Sequence, residues 1–285
     1  MEIRNGQYIK LKGKKPCHSF KDGIGTKTWR EVEEDDDVAV VVPDGYVVLD
    51  FDTAQDAKSM LQIVDALDLK TNVMQTTRGI HCWFKTKEDN PKNFIKSRLA
   101  VGIYCDRKTG GRNSFVKIKE KGFPRPWIRD QYEMEELETV PFFLSCVSAP
   151  TDKYDFMNMT DGSGRNNELF TYIPYLQDRG YTKEQIKEVI KVINSYVFTE
   201  SLSDYEIGTI TRDEAFKPEN EIKYFRGDKF KHNEFGKHLI NKYHIVSIDG
   251  HLYSYVSDHY KFNYNLVEEL SIIELDDITI KERNI

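Results

Sequence analysis

Long apolar runs are missing from this chain of 285 residues, which limits the classes of protein it can belong to. The mean hydropathy is −0.60, and no stretch approaches the about 18 consecutive apolar residues that a membrane-spanning helix needs. The charged N-terminus, MEIRNGQYIKLKGKK, has no apolar segment behind it, so no signal peptide is expected. The sequence therefore predicts a protein with no membrane contact, long enough for about two domains.

Cysteine is also scarce. The four cysteines, Cys17, Cys82, Cys105 and Cys146, are scattered along the chain without a Cys-x-x-Cys pair. This spacing argues against a zinc ribbon. It favours reduced thiols and hence a cytoplasmic location.

An overall excess of positive charge is absent as well, since the net charge is −6. Residues 94–129 are the exception, with ten Lys and Arg against only Asp106 and Glu120, a local charge of 10 − 2 = +8. Acidic blocks at 31–37 and 133–138 offset it. A polyanion is attracted by the local electrostatic potential more than by the net charge of the whole chain. This basic segment therefore indicates a phosphate-binding surface. Solvated strand faces and loops are the alternative interpretation.

The first half of the chain alternates strand and helix patterns. Apolar runs at 38–42 and 46–52 flank Pro-Asp-Gly, which predicts a β-hairpin. A helical pattern follows over 54–69, and strands are predicted at 72–76, 80–85, 99–106 and 114–119. The predicted class is α+β, with a mixed or antiparallel sheet that has helices on one face and an open face available for a site.

The second half differs in character. Residues 151–163 are polar and predict a linker, so the first domain is placed at 1–150. Helices are predicted within 164–216, where Thr182 with Gln185 and Ser203 with Glu206 have the spacing of capping boxes. Residues 217–285 predict a short α/β tail with an aromatic-rich hairpin.

Asp50 and Asp52 lie on the strand YVVLDFDT, where ionised carboxylates are costly unless something neutralises them. Side chains alternate along a strand, so Val48, Asp50 and Asp52 share one face while Leu49 and Phe51 share the other. Two carboxylates at this spacing are suited to a divalent cation such as Mg²⁺. The alternative is that both acids meet solvent at the strand end or cap the helix that begins near Thr53.

The following strands add to this set. TTRGIHCWF places His81 on one face, after a turn whose backbone is able to approach phosphates, although a lone strand histidine is also common in a structural role. In VGIYCDRK, alternation turns Cys105 inward and leaves Asp106 on the opposite face. Two-metal phosphoryl transfer uses carboxylates to hold two cations and basic groups to bind the phosphates. Three carboxylates beside a basic segment are suited to this chemistry.

VVLDFDT, TTRGIHCWF and YCDRKTGG…FVKI together resemble the three motifs of the archaeo-eukaryotic primase superfamily, and most of all the primase–polymerase (PrimPol) domains of phages and plasmids. The resemblance covers about residues 1–150 and implies an RRM-like catalytic domain. Residues 164–216 resemble the helical primase C-terminal module. Residues from about 230 resemble the segment that precedes superfamily 3 helicases. No Walker A motif is present.

The resemblance implies a role for each matching residue. Asp50, Asp52 and Asp106 would be metal ligands for Mg²⁺ or Mn²⁺, and with His81 they would form the catalytic set. The residues implied to bind the nucleotide are Thr77, Arg78, Gly79, His81, Lys15 and Lys117. The basic residues expected along the DNA are Arg107, Lys108, Arg112, Lys119, Lys121 and Arg125.

The function expected from this resemblance is template-directed nucleotidyl transfer on single-stranded DNA, from nucleoside triphosphates, with a superfamily 3-type helicase in cis or in trans. Two alternatives come from other classes. One is a catalytically weak replication-initiation module that binds DNA and works with a helicase. The other is an Asp-x-Asp glycosyltransferase, although only about 50 residues precede Asp50, fewer than the βαβ array of that class usually needs.

Overall fold

The computed structural model describes residues 6–88, 91–148, 154–216, 225–226, 229–256 and 259–274. The chain divides into two compact units, Met1–Lys217 and Pro218–Ile285. Of the predicted linker, residues 151–153 lie outside the described residues, as do 217–224 and 275–285 of the predicted tail.

The first unit contains most of the secondary structure. Its strands are β1 (Tyr8–Lys12), β2 (Lys15–Pro16), β3 (Val38–Val41), β4 (Tyr46–Phe51), β5 (Asn72–Gln75), β6 (Ile80–Lys85), β7 (Phe94–Leu99), β8 (Tyr104–Thr109), β9 (Phe115–Glu120), β10 (Phe123–Pro124), β11 (Trp127–Arg129) and β12 (Cys146–Ser148). Its α-helices are α1 (Trp29–Val32), α2 (Ala54–Ala66), α3 (Arg165–Gln177), α4 (Lys183–Val192) and α5 (Asp204–Ile210).

These strands form two antiparallel sheets. The larger sheet has the order β11-β5-β6-β4-β8-β7-β12, and the smaller one has the order β10-β9-β3-β1-β2. This confirms the predicted α+β class with antiparallel pairing. In the part of the chain that the structure describes, no helix is long and apolar enough to cross a membrane.

The larger sheet is covered on both faces. Val47, Leu49 and Phe51 share a core with α2 and with the helices of residues 164–216, while Val48 and Trp83 belong to a second core shared with β3 and β9. The expectation of an entirely open second face is therefore wrong, because the smaller sheet packs against part of it. The part that remains accessible forms a cleft between the two sheets.

The predicted hairpin of β3 and β4 is not formed. β3 pairs with β1 and β9, whereas β4 pairs with β6 and β8 in the other sheet. Both strands are buried over nearly their whole length, and a strand buried on both faces is suited to the centre of a sheet. The Pro-Asp-Gly turn thus moves the chain from one sheet to the other.

The single strand predicted over 99–106 is also wrong. Residues 100–103 are a turn between β7 and β8, with Gly102 at φ +85° and its amide donating to the Leu99 carbonyl at 2.8 Å. Val101 and Ile103 are buried in that turn. Because these two buried residues are two positions apart, they have the spacing of apolar residues in a half-buried strand. The sequence pattern therefore predicted a strand where the structure has a turn.

The helical predictions are confirmed. α2 begins after Thr53, whose side chain accepts from the Asp56 amide, and α4 and α5 begin with the capping boxes of Thr182 and Ser203. Residues within and on both sides of the predicted 151–163 linker share one core, since Tyr154, Phe156 and Leu169 are buried with Val101. The domain boundary at residue 150 thus remains a prediction from the sequence, and it lies within one compact unit of the structure.

The second unit has its own small core. Its elements are β13 (Phe225–Arg226), β14 (Lys229–Phe230), α6 (His232–Tyr243), β15 (Val246–Ile248), β16 (His251–Val256), β17 (His259–Phe262) and α7 (Leu266–Glu274). β16 and β17 form the predicted aromatic hairpin. Phe235 and Leu239 of α6 pack with Leu266 and Leu270 of α7.

Candidate active site

A cleft of about 670 Å³ lies between the two sheets of the first unit, a volume typical of small-molecule and cofactor sites. Its walls come from β4, β6 and β8 of the larger sheet and from β1 and β9 of the smaller one. The ionisable residues that line it are Lys14, Asp50, Asp52, Arg78, His81, Asp106, Arg107, Lys108, Lys117, Glu120 and Arg125.

Three predicted site residues lie side by side across neighbouring strands. Asp50 of β4 is the register partner of His81 on β6 and of Asp106 on β8. Partners in a register lie on the same face of a sheet. The structure therefore brings these three side chains to one wall of the cleft, because the strand pairing joins faces that alternation assigns only within each strand.

Asp50 is buried, with 8% of its surface exposed. Its Oδ1 lies 3.3 Å from the His81 Nε2, and its Oδ2 accepts a hydrogen bond from the Lys108 ammonium. Burial alone would raise the pKa of Asp50, but His81 and Lys108 hold it well below its usual range. The carboxylate is thus ionised, and both of its oxygens have a partner.

His81 is 3% exposed, and burial lowers its pKa more strongly than the hydrogen bond with Asp50 raises it. The imidazole is therefore neutral near pH 7, with one nitrogen directed at Asp50. Its Nδ1 is buried without a hydrogen-bond partner among the described residues. An unpaired buried nitrogen is costly, so a polar group of a ligand in the cleft would stabilise it.

Asp106 is held by an irregularity in the neighbouring strand. The register of β7 on β8 shifts between Phe94 and Ser97, and Lys96 adopts φ +47°. This bulge directs the Lys96 amide at the Asp106 Oδ1, at 2.7 Å. β-Bulges commonly re-aim groups next to functional sites, and here the bulge orients the third predicted carboxylate.

Asp52 lies just beyond the end of β4 and is exposed. Its Oδ1 is 3.2 Å from the Arg78 Nη2, and both side chains are more than half exposed. The cap of α2 is Thr53, so helix capping does not account for Asp52. An ion pair this exposed contributes little to stability, which leaves both groups available to a ligand.

The turn before His81 is closely packed. The Thr76 amide donates to the Gly79 carbonyl at 2.9 Å, and the Gly79 amide donates to the Thr76 hydroxyl at 2.9 Å. A Cβ at Gly79 would lie 1.7 Å from the Phe51 carbonyl oxygen. Glycine is therefore required here because the turn touches the end of β4, and Gly79 itself does not line the cleft.

A charged cluster forms the opposite wall. Glu120 accepts hydrogen bonds from Thr77 at 3.1 Å, Arg125 at 3.1 Å and Lys117 at 3.3 Å. The Arg125 bond, assisted by Lys117 and Thr77, lowers the pKa of Glu120 to about 2 despite the opposing effect of burial. Lys117 also lies 3.1 Å from Asp37. The sequence predicts Thr77, Lys117 and Arg125 as site residues, but not the Glu120 carboxylate that joins them.

Lys15 does not line the cleft. It is exposed on β2, while the preceding residue, Lys14, is among the lining residues. A short basic stretch, GKKP, identifies the segment but does not tell which lysine faces the cleft.

The six residues predicted to contact DNA divide into three groups. Arg107, Lys108 and Arg125 line the cleft and pair with Glu88, Asp50 and Glu120. Arg112 and Lys121 are exposed, and the Arg112 guanidinium donates to the Pro91 carbonyl at 2.8 Å. Lys119 is buried with its ammonium 2.5 Å from the Glu33 carbonyl, so it is not free to contact a phosphate backbone.

Sequence reasoning missed the apolar lip of the cleft. Phe94 is 38% exposed and Ile95 is 79% exposed, and both line the cleft at the β7 bulge. Asn93 anchors this segment, since its Oδ1 accepts from Thr109 and Ser114. β7 has no regular alternation because of its bulge, so no periodic signal marks these residues.

Among the described residues, no group of three or more His, Cys, Asp or Glu side chains is arranged to hold a metal ion. The donor type nevertheless fits Mg²⁺ or Mn²⁺, since Asp50, Asp52 and Asp106 supply hard oxygen ligands to one cleft. Two of these carboxylates are already met by positive charge, from Lys108 and Arg78. Both carboxylates thus already bind a positive charge, and a divalent cation would take the place of Lys108 or Arg78 there.

No protein-family model matches this chain, and no curated protein matches it.

Proposed function

We propose that the chain is a DNA-directed nucleotidyltransferase, a primase–polymerase that makes and extends primers on single-stranded DNA from nucleoside triphosphates. The observation that carries this proposal is the alignment of Asp50 with Asp106 on one side and His81 on the other, in a single cleft. Lys117, Arg125 and Arg78 line the same cleft. This arrangement combines carboxylates for cations with basic groups for phosphates, as phosphoryl transfer requires.

Asp50, Asp52 and Asp106 would hold Mg²⁺ or Mn²⁺. When bound, such cations lower the pKa of an attacking hydroxyl and neutralise charge on phosphate oxygens. Neutral His81 has a single N–H, which its Nε2 donates to the ionised Asp50, so its unpaired Nδ1 would accept a hydrogen bond from a hydroxyl or amino group of the nucleotide. Arg78 and Lys117 would neutralise charge on the departing pyrophosphate.

The ionisable residues of the cleft favour a polyanionic ligand. Among the described residues, six basic side chains and four acidic ones line it, so positive charge exceeds negative charge even before any cation binds. A nucleoside triphosphate that brings cations suits such a surface. The DNA template would follow the exposed basic residues near the cleft, including Arg112 and Lys121, and its binding should weaken steeply with salt.

The test is unprimed synthesis on single-stranded DNA, with labelled dNTPs or NTPs and Mg²⁺ or Mn²⁺. Wild type is expected to give short products, while Asp50→Ala/Asp52→Ala should lose synthesis by at least about 10³-fold and still bind DNA. Lys119→Ala is a useful matched variant, because this buried lysine should affect stability more than template affinity. Synthesis by the double variant at the wild-type rate would refute the site.

A second candidate is a replication-initiation module that binds DNA with little or no catalysis. It is favoured by one observation, the engagement of the Asp50 carboxylate by Lys108 and His81. Wild type that binds single-stranded DNA but gives no product under any of these conditions would support it. Extension of a supplied primer without unprimed products would instead indicate a polymerase that does not initiate alone.

The proposal extends to partners and location. Residues 164–216 would be the helical module of a primase, the first domain would have the RRM-like arrangement, and the second unit would serve a superfamily 3-type helicase in cis or in trans. The enzyme would act in the cytoplasm. Co-purification of the full chain with such a helicase, lost on removal of residues 218–285, would test the helicase contact.

A further inference from the structure

Lys108 occupies the position at Asp50 that a cation would take. Its ammonium donates to the Oδ2 of Asp50, and His81 lies against the Oδ1. Asp50 is only 8% exposed, so little of its carboxylate remains for another ligand. A divalent cation would therefore reach Asp50 only after Lys108 moves away.

Lys108 is able to move. It is on β8, opposite Val48 and two residues beyond Asp106, and its side chain is 28% exposed at the cleft. Its ammonium sits on a flexible four-carbon chain, unlike the planar fork of an arginine. Release of the ammonium thus requires only rotations of the side chain, with the strand backbone unchanged.

The displaced ammonium needs a new acceptor. If it stayed beside a cation bound to Asp50, two positive charges would repel each other at short range. A triphosphate in the same cleft offers phosphate oxygens, which are strong acceptors for an ammonium group. Occupation of the cleft by a triphosphate would therefore make cation binding at Asp50 more favourable.

We propose that Lys108 competes with a divalent cation for Asp50, and that this competition couples cation binding to triphosphate binding. The inference rests on the proposed function and adds a positioning residue that controls the order of assembly. Because coupling between two ligands is reciprocal, the cation should strengthen triphosphate binding by the same factor. Free cations would bind the site more weakly until a triphosphate arrives.

Mn²⁺ binding to the full chain, measured by electron paramagnetic resonance, tests this without catalysis. A non-hydrolysable triphosphate analogue is added or omitted, and its own chelation of Mn²⁺ is common to every variant. Lys108→Met is expected to bind Mn²⁺ about tenfold more tightly than wild type without the analogue. The analogue should then improve Mn²⁺ affinity much less in Lys108→Met than in wild type.

Four further variants define the result. Asp50→Asn should abolish the measured site, and Lys108→Arg should retain competition because its charge remains. Lys58→Met removes a charge from the exposed face of α2 and should behave as wild type. Lys108→Gln serves if Lys108→Met does not fold, as judged by thermal unfolding.

The outcomes separate the two proposals. Equal or weaker Mn²⁺ binding by Lys108→Met and Lys108→Gln would overturn the competition, whether or not the protein makes primers. Absence of any Asp50-dependent Mn²⁺ binding would overturn it as well. Tighter binding by these variants in a protein that makes no product would uphold the competition and refute the proposed function.

Discussion

At the scale of the residue, a carboxylate remains ionised inside a strand only when neighbouring groups stabilise its charge. Asp50 meets this condition through both adjacent strands, with His81 on one side and Lys108 on the other. Removing one partner of such a buried group leaves the other charge uncompensated, which is more destabilising than loss of the pair. Loss of Lys108 alone should therefore destabilise the centre of the sheet.

Glu120 gives a prediction about pH. Its pKa of about 2 lies below the ordinary value of 4.5, so its contribution to stability is present above pH 4.5 and is lost as pH falls toward 2. Because its side chain is about one-third exposed, we expect Glu120→Gln to lower the free energy of unfolding by only about 1 kcal/mol at neutral pH. Urea denaturation at several pH values should show this deficit shrinking as pH falls from about 4.5 toward about 2.

The charge-matched control is Glu188→Gln, at an exposed position of α4. Its effect on the free energy of unfolding should be small and nearly independent of pH. A deficit for Glu120→Gln that stays constant from neutral to acidic pH would contradict the assignment of Glu120 as an ionised partner of Arg125 and Lys117.

Strand alternation assigned Asp50, His81 and Asp106 each to a face of its own strand, because a period of two is set by the backbone alone, but only the pairing of β4 with β6 and β8 brings these faces together. The same reasoning did not place Lys108 against Asp50 or Lys119 against the Glu33 carbonyl. Both are lysines in a basic segment, and their partners are distant in sequence. Which acid or carbonyl a lysine contacts depends on strand pairing, which composition does not specify.

At the scale of the element, the turns were less predictable than the strands. The Pro-Asp-Gly segment has the chemistry of a hairpin turn, yet β3 and β4 belong to different sheets. Gly110 explains part of this, because its backbone packs so closely that a Cβ there would lie 1.9 Å from the Pro43 carbonyl oxygen. Contacts of this kind, between turns that are distant in the sequence, help to determine which sheet a strand joins. They produce no recognisable pattern in the sequence around either turn.

Gly79 lies so close to the end of β4 that a larger residue there should disturb the turn. Gly79→Ala would place a methyl group 1.7 Å from the Phe51 carbonyl oxygen, so the turn must move away from the end of β4. We expect a loss of about 2–3 kcal/mol in the free energy of unfolding. The shift should also weaken triphosphate binding, because Arg78 and His81 flank this turn. Chemical denaturation and equilibrium binding of a triphosphate analogue measure the two effects.

Gly208→Ala is the matched comparison. Gly208 lies in α5 with open space where a Cβ would be, so alanine should stabilise the helix by about 0.5–1 kcal/mol. The two substitutions add the same methyl group and should have opposite signs. Equal stability of the two variants would show that the contact between Gly79 and Phe51 does not constrain the turn.

At the scale of the whole molecule, the helices of residues 164–216 complete the core of the larger sheet. Phe156 packs on Gly102, where a Cβ would lie 2.4 Å from its ring, and the Tyr172 hydroxyl donates to the Ala100 carbonyl at 2.8 Å. The sequence division at 150 relied on polarity and a change of element type. Those features are real, but they do not reveal that Tyr154 and Phe156 are buried.

This shared core predicts how the chain tolerates truncation. A fragment of residues 1–150 lacks Phe156, Leu169, Tyr172 and Ile173, all of which are buried against the sheet. Each such side chain contributes about 1.5–3 kcal/mol when buried, so their combined loss approaches the 5–15 kcal/mol that stabilises a typical domain.

A fragment of residues 1–217 retains them all and should unfold in one cooperative transition. Urea denaturation followed by circular dichroism, with a dye that binds exposed apolar surface, should show no such transition for residues 1–150. If the shorter fragment unfolded cooperatively at the same urea concentration as the longer one, the helices would be an appendage to an independently folding domain, and the boundary predicted from sequence would be the physical one.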